Sequence, residues 1–87
     1  MEQEGPYKTV DIGLAASLMA SGVEFAGALG EPGRQFHFCF SESEWERIRE
    51  IEVSYHSGQL KIEVLSFLTA YRRLKGFIGR QRGRRDG

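Results

Sequence analysis

The chain has little of what usually builds a chemical site. Its 87 residues include one cysteine, two histidines, two prolines and one tryptophan. A lone Cys39 excludes an internal disulfide, and its place between Phe38 and Phe40 reads as that of a small hydrophobe in a reducing cytosol. No stretch approaches the roughly eighteen consecutive apolar residues a membrane span needs, and "MEQEGPYKTV" has no basic start followed by an apolar run. A cytoplasmic protein that makes no use of membranes is expected.

Phosphate and metal signatures are missing too. "GALGEPG" has three glycines but no lysine-serine or lysine-threonine after them, so it reads as a turn between strands. Cys39, His37 and His56 lack the paired spacing of a zinc site, and no third group is placed to orient a Cys-His nucleophile. The glutamates of "SESEWERIRE" suit a helix start rather than a catalytic carboxylate pair. No enzyme, cofactor, metal or small-molecule substrate is expected.

What is present is an ordinary globular composition, 40% hydrophobic and 28% charged, with zero net charge. The zero conceals a split. Residues 1–71 carry Lys8, Arg34, Arg47, Arg49 and Lys61 against eleven acidic side chains, whereas residues 72–87 carry seven basic side chains against Asp86 alone. An acidic body is followed by a basic tail.

Periodicity supplies the elements. Tyr7 to Val10 is either a short strand or an extended lead-in. Thr9 or Asp11 can cap "DIGLAASLMASG", whose apolar positions recur at helical spacing, with Gly22 as a stop. From Val23 the period becomes two, and in "RQFHFCF" Phe36, Phe38 and Phe40 face one way while Gln35, His37 and Cys39 face the other. Ser41 with Glu44, or Ser43 with Glu46, opens a second helix with Trp45, Ile48, Ile51 and Tyr55 inward, broken at "HSG". Leu60, Val64, Phe67, Leu68, Tyr71, Leu74 and Ile78 mark one face of a third helix, and beyond Gly76 order is expected to fade.

The predicted fold is α+β: a helix, an antiparallel β-hairpin, then two helices packed on one sheet face, with an optional N-terminal strand. Residues 1–6 read as a flexible N-terminus, 7–78 as one domain and 79–87 as a basic, disordered tail. Within this frame "YKTVDIGLAASLMASGVEF", the hairpin ending in "FHFCF" and "YHSGQLKIEVLSFLTAYRRLK" resemble a family of short bacterial and phage-associated proteins catalogued as a domain of unknown function. The resemblance runs from about Tyr7 to Lys75. It implies the same fold and no particular activity; where the family carries Tyr-Asn-Gly, this chain has Tyr55, His56, Ser57 and Gly58.

Two binding uses follow. "RQFHFCF" shares with an RNA recognition motif a basic residue followed by alternating aromatics, but Gln35 replaces a glycine, Ser41 replaces the last aromatic and a helix replaces the final strand. Its phenylalanines are expected in the core. The basic set Arg72, Arg73, Lys75, Arg80, Arg82, Arg84 and Arg85 is the candidate contact surface, either for a protein partner, including a second copy in a homodimer through the third helix, or for nucleic-acid phosphates.

Overall fold

The computed structural model describes the backbone of residues 6–30 and 36–83, and side chains through residue 79. The chain runs β1 (Tyr7–Thr9), α1 (Ile12–Ala20), β2 (Phe25–Leu29), β3 (His37–Phe40), a 3-10 turn (Glu42–Glu44), α2 (Trp45–His56) and α3 (Val64–Gly83). This is the expected α+β arrangement. The optional lead-in is a strand: β1 pairs with β3, which is therefore central in an all-antiparallel sheet of order β1-β3-β2.

Register follows from the phenylalanines. Tyr7 and Phe25 lie opposite Phe40, and Thr9 and Ala28 opposite Phe38, so the apolar residues of three strands share one face. The ring centroids of Phe25 and Phe40 are 5.4 Å apart, edge to face. A slip of one residue would turn Phe38 and Phe40 into water. The irregularity in β2 lies between Phe25 and Gly27, where Gly27 takes φ +123, a conformation other residues rarely adopt. Lys8, His37, Cys39 and Leu29 occupy the opposite sheet positions, and there only Cys39 is buried.

The helices cover the phenylalanine face, and their ends are closed by their own residues. Asp11 Oδ1 accepts from Gly13 N–H at 2.9 Å and Leu14 N–H at 3.2 Å, while Thr9 Oγ1 accepts from Asp11 N–H. Asp11 is thus the cap and Thr9 its support. At the other end Gly22 N–H donates to Met19 C=O and Val23 N–H to Leu18 C=O, the paired bonds of a glycine-terminated helix. The same pairing recurs after α2, where Gly58 N–H reaches Tyr55 C=O and Gln59 N–H reaches Ser54 C=O.

Three boundaries differ from the reading of the sequence. Ser41 caps the 3-10 turn, not α2, which starts at Trp45 after Glu44. Residues 59–63 are not helical, so Leu60 and Val64 do not begin the inward stripe of α3. Leu60 packs on the core as part of the link, Val64 points outward, and the buried positions of α3 are Ala70 and Leu74, with Phe67, Tyr71 and Ile78 beside them. The spacing of apolar residues was continuous through the link, but the left-handed Gly58 ends α2 and residues 59–63 are irregular before the helix resumes. The helix also continues past Gly76 through Gly83.

One core joins both layers: Tyr7, Phe38 and Phe40 from the sheet, Leu14, Ala15, Ala16 and Leu18 from α1, Ile48 and Ile51 from α2, and Ala70 and Leu74 from α3. α1 packs along α3 on one side and α2 on the other. Its two fully buried alanines let the neighbouring backbone come close. Across the helical layer the order is α2, α1, α3.

Candidate functional site

The order of the helical layer sorts the charge in space. α1 has no ionisable side chain between Ile12 and Ala20. On one side of it lie Glu42, Glu44, Glu46, Glu50 and Glu52, with Arg47 and Arg49 among them; on the other lies α3, which has no acidic residue along its length. Glu44 pairs with Arg47 at 3.3 Å, the one ion pair among the described residues. The guanidinium of Arg47 also donates to Ser21 C=O, and so ties the start of α2 to the end of α1.

α3 has two dissimilar halves. The first is apolar outward as well as inward: Val64 is 68% exposed and Leu65 67%. Val64 lines a groove of about 360 Å³ with Tyr55, Leu60, Ile62, Phe67 and Leu68, while Leu65 lines a second one with Met19, Ala20, Thr69, Ala70 and Arg73. The second half is basic. Arg72, Arg73 and Lys75 are exposed and make no ion pair among the described residues. Lys75 lies 6.0 Å over the Tyr71 ring, which itself stacks on Phe67. Arg80 and Arg82 lie on the same helix, whereas Arg84 and Arg85 fall outside the described residues. The structure thus brings Arg72, Arg73, Lys75, Arg80 and Arg82 onto one helical segment.

Two tyrosine-carboxylate pairs had no counterpart in the sequence reading. Tyr55 Oη donates to both oxygens of Asp11 at 3.1 Å, and Tyr7 Oη donates to Glu52 Oε2 at 3.1 Å. Burial, then the charge and hydrogen bond of Glu52, push the Tyr7 hydroxyl up to about 12. Burial and the Asp11 hydrogen bond also raise Tyr55. Both pairs clamp α2: one to the cap of α1, the other to β1. The signal for them was the spacing "YKTVD" and "Y..G", polar and aromatic positions that fitted no chemistry. Tyr7, Thr9, Asp11, Tyr55 and Gly58 each have a structural task.

The other sequence candidates are placed as follows. Phe38 and Phe40 are in the core, which leaves them no face for stacking bases. His37 and Cys39 share a sheet face, with the thiol 3.7 Å from His37 C=O, while His56 sits at the far end of α2 against the Tyr55 ring. His56 takes none of the final carbonyls of α2; Ser57, Gly58, Gln59 and Leu60 do. Among the described residues no three of His, Cys, Asp and Glu are grouped to hold a metal, and no helix is long and apolar enough to cross a membrane. No family model, curated protein or solved structure matches the chain.

Proposed function

We propose that the chain is a small, non-enzymatic macromolecule-binding module, and that it engages protein, a second copy of itself included, through the apolar first half of α3. The observation that carries this reading is the outward placement of Val64 and Leu65, Val64 on the groove of Leu60, Ile62, Phe67 and Leu68 and Leu65 on the neighbouring one with Met19 and Ala20. Apolar side chains gathered on a rim and in an adjoining groove gain by excluding water against a second surface. Kinship with the short bacterial and phage-associated family belongs to the same proposal. It rests on residues that hold the scaffold, so it allows different surfaces on one frame.

Sedimentation tests the self-association. At tens of micromolar the chain is expected above its monomer mass of 9.9 kDa, with little response to salt because the contact is apolar. Leu65→Glu is expected to return it to monomer. A single monomeric species for the unmodified chain overturns the homodimer. The nucleic-acid reading rests on a different surface, the basic second half of α3.

A further inference from the structure

From Val64 to Arg85 the sequence has no aspartate or glutamate, and from Arg72 onward it has seven basic residues. The helical backbone through Gly83 sets five of these at fixed angles instead of stringing them on a loose arm. With 3.6 residues per turn, Arg73 and Arg80 fall on one flank and Lys75 and Arg82 on the other. Each pair is seven residues apart, about 10.5 Å along the axis. Between the flanks, opposite the buried Leu74, the outermost line is Arg72, Gly76, Gly79 and Gly83. Gly76 and Gly79 are exposed, and a Cβ at Gly79 would meet nothing within 4 Å. Packing inside the chain therefore gives no reason for glycine at position 79.

We propose that this second half of α3 docks in the major groove of duplex DNA, with each basic flank on one phosphate strand and the glycine line toward the base pairs. The major groove, about 12 Å wide, admits a helix. Glycines narrow the leading side of that helix and present no side-chain donor or acceptor, so the backbone contacts position it without reading sequence. Cations along a helix displace condensed counterions from a polyanion, which drives association. The acids of the 3-10 turn and α2, Glu42, Glu44, Glu46, Glu50 and Glu52, lie beyond α1 from this face, and Glu63 lies at the opposite end of α3. An anionic membrane fits less well, because the outer line past Arg72 has no bulky apolar side chain to insert; Phe77 and Ile78 are half-buried, with Phe77 against Phe25. Duplex RNA has a deep, narrow major groove closed to a helix.

Fluorescence anisotropy of the full chain with labelled duplexes of about 20 base pairs tests the assignment. Two unrelated DNA sequences are expected to bind alike at about 50 mM salt, with a log-log salt slope near −3 to −4.5, and matched RNA at least about tenfold more weakly. The double variants Arg73→Gln/Arg80→Gln and Lys75→Gln/Arg82→Gln are each expected to reduce that slope by about two. Gly79→Leu distinguishes a docked helix from a flexible arm: DNA affinity is expected to fall at least about tenfold while circular dichroism shows helix content kept or raised. Unchanged affinity in Gly79→Leu overturns the proposal, as does absence of DNA binding or dependence on one flank alone. Val53→Gln, at an exposed position of α2, is expected to leave DNA affinity within about twofold; a tenfold fall would move the site off α3. Should anionic vesicles, or the acidic α2 side of a second copy, bind the basic face while DNA does not, the occupant proposed here is wrong.

Discussion

The two outer helices flank α1 and are held in opposite ways. α2 is anchored by directed polar bonds: Arg47 to Ser21 C=O, Tyr55 to Asp11 and Tyr7 to Glu52. It also gives Ile48 and Ile51 to the core. α3 meets the core through Ala70 and Leu74, with Phe67, Tyr71 and Ile78 beside them, and the side-chain hydrogen bond of Ser66 to Glu63 is a local one. Directed bonds fix an orientation, while apolar burial fixes area and leaves the outer face unconstrained. The helix held by burial is therefore the one whose outer surface can be given to a partner.

That contrast can be broken at several points. The largest effect is expected in the apolar layer both helices share: Phe40→Ala should cost about 3–5 kcal/mol, and Leu74→Ala about 2–5 kcal/mol with loss of α3 order, read by denaturant unfolding and amide exchange. If Leu74→Ala left α3 protected from exchange, burial would not be what holds it. Next comes the polar clamp. Asp11→Ala removes both the cap of α1 and the acceptor of Tyr55, so it should destabilise by about 1–3 kcal/mol. Tyr55→Phe should cost less, because the cap survives.

The pH response sharpens the same point. The Tyr7 hydroxyl ionises near 12 in the folded chain against an ordinary value of 10.0. A raised value means its contribution is whole below about pH 10 and is lost as pH climbs through about 12. Alkaline unfolding should therefore set in over that window, and Tyr7→Phe should flatten it; a profile unchanged by the substitution would count against the clamp. The smallest expected effect lies on the free face of α3. Gly79→Ala enters open space and should stabilise the helix by up to about 1 kcal/mol, visible as a rise in Tm.

Much of the frame was legible in the residues themselves. Alternation in "FHFCF" located β3 and its buried side, Asp11 and Gly22 bounded α1, and Gly58 ended α2. The link at 59–63 was not legible, since its apolar residues kept helical spacing while the backbone left the helix. Nor were the tyrosine clamps, whose partners stand 44 and 45 residues apart. Of the candidate surface, the basic residues were visible, but their setting on two flanks of one continuous helix was not, because a glycine-rich segment reads as a weak helix former.

The amino-acid order by itself determined the α+β class, the phenylalanine face and the division of the chain into an acidic body and a basic end. These follow from local periodicity and composition, which need no knowledge of distant neighbours. Only the tertiary structure decided that β1 joins the sheet beside a central β3, that neutral α1 stands between α2 and α3, and that the glutamates of α2 and the basic residues of α3 therefore lie on opposite sides of it. Strand order and helix placement depend on which apolar faces meet after the chain closes, and that choice is made by packing between residues far apart in sequence.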